Sequence, residues 1–196
     1  MKIIGITGGI GSGKSKVLDI LSDKYGAYIV EADKIAYTLM QPGYETYDKI
    51  ISCFGDDIKD PETLLIDRSK LAKIVMNDRE SLNKLNGIVH PDVKSYINKD
   101  IADKRENGEE YYIIEAALLI QDNYQLICDE IWAVLTDKEL RISRLMNNRG
   151  FSREKALDFM KNQPDDDYYS ENSDRIIYNN GDVSDLIKSI DEILHM

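Results

Sequence analysis

The chain opens on a short apolar run, Ile3-Ile4-Gly5-Ile6-Thr7. It is too short for a helix and too continuous for a half-exposed strand, so it predicts a strand buried on both faces. Glycines follow. From Lys14 the apolar positions change to helical spacing, with Val17, Leu18, Ile20 and Leu21 on one face and Gly26 as the stop. Residues 27–30 predict a second strand, leading into Glu31-Ala32-Asp33. The stretch 34–107 is mostly helical by pattern: Leu71, Ile74 and Val75 recur at helical intervals, as do Leu82, Leu85 and Val89. Turns fall at Gln41-Pro42-Gly43, Asp60-Pro61 and Glu106-Asn107-Gly108. Pro91 disfavours helix in the residue before it, so His90 is expected to end one helix before another begins. Further strands are predicted at 111–116, Glu130–Leu135 and Arg175–Tyr178, and further helices at 138–147, 152–162 and 182–194. Strands alternating with helices predict an α/β fold with a parallel sheet covered on both faces. The long helical insertion in the middle has room for a second ligand.

Composition narrows the function. The 196 residues are 42% hydrophobic and 31% charged, an ordinary balance for one soluble unit with a real core. The net charge of -11 repels polyanions, so nucleic acid is not an expected partner, whereas a small anion can bind where basic groups are concentrated. No stretch approaches the ~20 apolar residues of a membrane span; even the run after Tyr111 is broken by Glu115. The opening residues, interrupted by Lys2, do not resemble a signal peptide. A cytoplasmic protein, monomeric or weakly homo-oligomeric, is expected. Cys53 and Cys128 match no metal-ligand spacing and are expected to be reduced, buried thiols. His195, next to the C-terminus, is read as incidental.

The strongest chemical signal is Gly8-Gly9-Ile10-Gly11-Ser12-Gly13-Lys14-Ser15, which fits G-x-x-x-x-G-K-[ST] between a predicted strand and a predicted helix. Gly8, Gly11 and Gly13 let successive N–H groups turn inward around phosphate oxygens, together with Ser12. The helix beginning at Lys14, Ser15 and Lys16 presents its positive end to the same anion. Lys14 supplies a mobile cation, and Ser15 offers a hydroxyl to Mg2+. These residues predict a P-loop protein that binds a nucleoside triphosphate, ATP among the candidates, with Mg2+; the motif alone does not separate a kinase from a GTPase or a motor. A guanine reader is missing: Asn98-Lys99-Asp100 lacks the spacer and Asn83-Lys84-Leu85-Asn86 lacks the final acid.

Glu31 and Asp33 follow the second strand, where open α/β sheets bind ligands. Asp33 is the candidate base for an acceptor hydroxyl; the competing reading makes it the N-cap of a helix beginning at Lys34. Glu115 ends an apolar strand and is read either as a Mg2+-orienting acid or as a solvent-exposed strand end. Lys138, Arg141, Arg144, Arg149, Arg153 and Lys155 concentrate positive charge in an acidic chain. Arg141 and Arg144 share a helical face opposite Ile142 and Leu145; they are read as phosphate-neutralising groups or as a solvated face. Asp165-Asp166-Asp167 is read as a solvated loop with no metal role.

Taken in order, these motifs resemble the dephospho-coenzyme A kinase family over nearly the whole chain. The resemblance is carried by the segment from Ile4 to Ser15, by Glu31-Ala32-Asp33, Phe54-Gly55, Asp67-Arg68, Leu71 and His90-Pro91, by Leu118-Leu119, and by Asp174 with Asn179 or Asn180 and Gly181. It implies a P-loop NTPase-type three-layer sandwich in three parts. These are a nucleotide core over about 1–33, 109–137 and 174–196, a helical substrate region over about 34–108, and a lid over about 138–173. It implies transfer of phosphate from ATP to the 3′-hydroxyl of dephospho-CoA, a small-molecule substrate, with Asp33 as base. Lys14 and Arg144 join Asp33 as catalytic groups, Arg68 and His90 lie on the coenzyme-A side, and Arg144 and Arg149 belong to the lid. The chain departs from the family pattern at Glu31, at Glu115, at Ala117 and Gln121, and at Asn148, beside which Arg149 stands one residue late. Two other readings stay open: a P-loop kinase of a nucleoside, nucleotide or other metabolite, and a nucleotide-dependent binding switch.

Overall fold

A computed structural model describes residues 1–195. Its sheet has five parallel strands in the order β2-β3-β1-β4-β5: β1 (Lys2–Thr7), β2 (Tyr28–Glu31), β3 (Tyr111–Glu115), β4 (Glu130–Leu135) and β5 (Arg175–Tyr178). Central β1 pairs with β3 on one side, Ile6 opposite Glu115, and with β4 on the other, Thr7 opposite Ala133. Helices cover both faces of the sheet. That is why β1 reads as an unbroken apolar run: its neighbours Ile3 and Ile4, on opposite faces of the sheet, are both buried. Each such side chain contributes roughly 1.5–3 kcal/mol relative to exposure. Helices α1 (Lys14–Tyr25) and α9 (Val183–Leu194) pack on the sheet through Val17, Leu21, Leu186 and Ile190, against Ile4, Ile6, Trp132, Val134 and Ile177.

Between β2 and β3 come α2 (Ala32–Leu39), α3 (Glu45–Phe54), α4 (Arg68–Asn77) and α5 (Arg79–Glu106). After β4 come α6 (Lys138–Arg149), α7 (Arg153–Lys161) and α8 (Asp166–Glu171). The chain divides into two compact units, one of Met1–Val30 with the segment from Lys104 onward, the other of Glu31–Asp103. The first holds the sheet, α1 and α6 to α9. The second holds α2 to α4 and most of α5.

Four expectations require correction. His90 does not end a helix: α5 runs 28 residues straight through Pro91. Proline removes one helical hydrogen bond, but Val89, Val93, Ile97 and Ile101 form a buried stripe at four-residue spacing, and tertiary packing outweighs the local cost. Asp33 does not cap its helix, because α2 begins one residue before it and Glu31 occupies the cap position. The three aspartates after Pro164 do not form a solvated loop: Asp165 caps α8 by accepting from Tyr168 N–H, and Asp166 pairs with Arg141. Cys53 is exposed rather than buried, and Cys128 is half-buried.

Candidate active site

The phosphate loop is shaped by backbone conformations that its glycines permit. Gly8 leaves β1 at φ +139°, where a Cβ would sit 2.4 Å from the carbonyl oxygen of Val134. Gly13, at φ +91°, is the left-handed N-cap of α1. A Cβ there would stand 2.1 Å from Nδ2 of Asn179. Among the described residues no side chain caps α1, and its first turn carries no acid. The positive end of this helix is therefore left to an anion from outside the protein. Lys14 folds back over the loop, its Nζ donating to the Gly8 carbonyl at 2.9 Å and lying 3.7 Å from Oε1 of Glu115. Glu115 is thus not a solvent-exposed strand end: its side chain is 15% exposed and faces the loop lysine. Ser15 and Lys16 are exposed in the first turn of α1.

The second half of the loop is held from behind by a network around Ser12. The Ser12 carbonyl accepts from Thr136 Oγ1 at 2.8 Å, from Asn179 Nδ2 at 2.8 Å and from an Arg144 guanidinium N–H at 3.3 Å. Arg144 also donates to the Asn179 carbonyl at 2.9 Å. Burial lowers the Arg144 pKa from its ordinary value, but a guanidinium keeps its charge in a protein. Arg149, in the last turn of α6, is exposed.

Arg141 is buried, not solvated. Its Nε donates to the Ile10 carbonyl at 2.9 Å and its guanidinium bridges Asp166 at 3.1 Å. The Ile10 N–H donates to Gln163 Oε1 at 2.7 Å. The sequence pattern marks Arg141, with Arg144, as a phosphate-neutralising or solvated residue and not as a support of the loop; it does not mark Thr136 or Gln163, and it marks Asn179 only as part of a family segment. The available signals were positional: Thr136 and Asn179 immediately follow β4 and β5, at the sheet edge where ligands bind.

In the helical unit, Asp33 and Arg68 line one cavity of about 310 Å³, with Ala36, Tyr37, Met40, Gln41, Leu65 and Ile66. Asp33 lies exposed in the first turn of α2. Asp67 fixes the start of α4 by accepting from Ser69 and Lys70 N–H, which makes Arg68 the first helical residue. The Arg68 guanidinium stacks over the Tyr37 ring at 5.7 Å. The cavity therefore offers a carboxylate, a cation and an aromatic face together. His90, half-buried within α5, is not among its lining residues.

Among the described residues no group of three or more His, Cys, Asp or Glu side chains is placed to hold a metal. One exposed hydroxyl at Ser15 and one carboxylate at Glu115, beside an anion cradle, suit Mg2+. That ion keeps several waters and takes further ligands from nucleotide phosphates rather than needing a cage of protein groups.

A parallel sheet whose central strand runs through a glycine cradle into an uncapped helix, with a lysine folded over the cradle, defines the nucleotide-binding core of a P-loop protein. The family model for dephospho-CoA kinase matches residues 2–185, and the chain belongs to that family. It is 39% identical over 194 residues to the dephospho-CoA kinase of Carboxydothermus hydrogenoformans, covering 99% of this chain and 93% of that one. A Thermus thermophilus crystal structure superposes with TM-score 0.81 at 26% identity, covering 99% of this chain and 96% of that one. The dephospho-CoA kinase of Campylobacter jejuni superposes with TM-score 0.71 at 25% identity, covering 100% and 96%. The reaction is accordingly transfer of a phosphate from ATP to a hydroxyl group of dephospho-CoA, giving coenzyme A.

Proposed function

We propose that this reaction runs by direct in-line transfer from ATP to the ribose 3′-hydroxyl, with no covalent enzyme intermediate. The loop from Gly8 to Ser15, with Lys16, binds the ATP phosphates through backbone N–H groups and the α1 terminus. The observation that carries the reading is that uncapped, left-handed entry into α1 with Lys14 folded onto it. Lys14 and Arg144 neutralise charge that develops on the transferring group, where fixed donors act most strongly. Mg2+, held through Ser15 and helped by Glu115, would further neutralise the phosphates.

Asp33 accepts the proton of the 3′-hydroxyl, while Arg68 and His90 bind the coenzyme-A side. The shared cavity of Asp33 and Arg68 supports the first two assignments. In this reading the core spans about 1–33, 109–137 and 174–196. The substrate region spans about 34–108 and a lid about 138–173, carrying Arg144 and Arg149. Closure of such a lid excludes water and suppresses idle hydrolysis.

The reading extends to a cytoplasmic enzyme, monomeric or weakly self-associating, acting on a small molecule and engaging neither nucleic acid nor membrane. The net charge of -11 supports the absence of a nucleic-acid partner. Among the described residues no helix is long and apolar enough to cross a membrane.

Asp33→Asn tests the mechanism. General-base loss costs about 10²–10⁴-fold in rate, so kcat should fall by at least about a hundredfold with ATP affinity within about twofold. An unchanged kcat would remove Asp33 from the reaction.

A further inference from the structure

Among the described residues Arg141 is the one charged residue that is buried, at 5% exposure. Folding stability gives little reason for it, since a buried ion pair can often be replaced by apolar groups without loss. Its contacts show where its energy goes. Nε donates to the Ile10 carbonyl at 2.9 Å, and Nη1 donates to Oδ1 of Asp166 at 3.1 Å. Nη2 occupies the space above Gly9, 2.1 Å from where a Cβ on that residue would stand. The far end of an arginine usually yields to such a group. This one is buried and tied at two points, so Gly9 is the residue that must stay small.

The other polar group of Ile10 is also taken, its N–H donating to Gln163 Oε1 at 2.7 Å. The Ile10 side chain packs on the cluster of Ile142, Leu145 and Ala156. Ile10, itself half-buried, is thus held by α6, α7 and the turn before α8, and its own N–H is turned to Gln163. Ser12, two residues on, is held separately by Thr136, Asn179 and Arg144. The loop therefore has two handles, and Arg141 is the centre of the first.

We propose that Arg141 is a positioning residue for ATP: through Gly9 and Ile10 it fixes the arch of the phosphate loop, and Gln163 and Asp166 fix Arg141 and Ile10 in turn. Asp166 neutralises the Arg141 charge, so the effect on ATP comes from the shape of the arch and not from attraction to the nucleotide. The segment 163–166 thereby controls how well the loop is preorganised. This rests on the reading of the loop as the ATP site.

The test is ATP affinity of the whole chain by titration calorimetry without acceptor, alongside steady-state kinetics and melting curves. Loss of a charge-assisted hydrogen bond predicts that Arg141→Gln weakens ATP binding about tenfold and Gln163→Ala about threefold. KM for ATP should rise by the same factors, while KM for dephospho-CoA stays within about twofold. Arg141→Lys should recover part of the loss, because a point charge can serve one of the two partners but not both. Gly9→Ala should displace the guanidinium and weaken ATP in the wild type, and should add less than about twofold to Arg141→Gln, as coupled sites do. If Arg141→Gln and Gln163→Ala bind ATP like the wild type and only melt earlier, Arg141 is merely structural and the proposal fails. Should Arg141→Gln not fold, Gln163→Ala and Asp166→Asn decide by the same criterion. Wild-type chain that binds ATP but leaves dephospho-CoA unchanged would contradict the reaction, and the calorimetric test of Arg141 would still stand.

Discussion

Asn179, the first residue after β5, gives its side-chain amide to the carbonyl of Ser12 at 2.8 Å, across 167 positions of sequence. This contact carries the end of the last strand to the middle of the phosphate loop. Asn179→Ala leaves Thr136 and Arg144 as donors to Ser12 but removes a buried hydrogen bond. It should cost about 1–2 kcal/mol of stability and weaken ATP several-fold. Asn179→Asp should be worse than alanine, because it turns a carboxylate toward the same carbonyl. Denaturation and ATP titration of both variants check the order.

Lys14 and Glu115 stand 3.7 Å apart at the mouth of the loop. Lys14→Ala should lower kcat by about a hundredfold or more, the scale expected for a lost donor to developing charge. Glu115→Gln should raise the Mg2+ concentration needed for half-maximal rate at fixed ATP. A Mg2+ titration indistinguishable from wild type would confine Glu115 to holding Lys14.

Asp182 begins α9 by accepting from the Ser184 hydroxyl and from the N–H groups of Asp185 and Ser184, and these bonds hold its carboxyl below the ordinary 3.8. A depressed folded-state pKa stabilises the protein above the unfolded value and loses that contribution as pH falls through the folded one. Asp182→Asn keeps an oxygen acceptor and discards the charge. Its melting temperature should lie below wild type at pH 7, with the gap narrowing as pH falls below the ordinary carboxylate range. Melting curves across that range test the sign.

The two thiols should react very differently. Burial, and secondarily Asp129, push the Cys128 thiol up to about 12, so it has almost no thiolate at neutral pH. Cys53 is exposed in α3. Iodoacetamide on the folded protein should modify Cys53 alone, and both thiols in denaturant, as peptide mass spectrometry would show. Rapid labelling of Cys128 in the folded chain would contradict its burial.

Much of this structure was legible because its signals are local. The bounds of α1 follow from a helical stripe opened by Gly13 and closed by Gly26, and β4 and β5 fall where short apolar runs predict them. The phosphate loop was readable because its glycines are required by the backbone itself. What escaped the sequence depends on distant partners. Helix continuity at Pro91 is decided by packing of Val93, Ile97 and Ile101, which proline chemistry does not report. Arg141 reads like its exposed neighbours until Asp166 and Ile10 arrive from elsewhere in the fold. Asp165-Asp166-Asp167 reads as loop because a helix as short as α8 carries too little periodicity to register.

The central claim is that the chain uses ATP to phosphorylate dephospho-CoA on its ribose. Incubating the purified chain with ATP, Mg2+ and dephospho-CoA, and locating the new phosphate by phosphorus NMR and mass spectrometry, tests it most directly. The account predicts one phosphate on the 3′-oxygen, giving coenzyme A with stoichiometric ADP. Unmodified dephospho-CoA, or phosphate on any other oxygen, would contradict it.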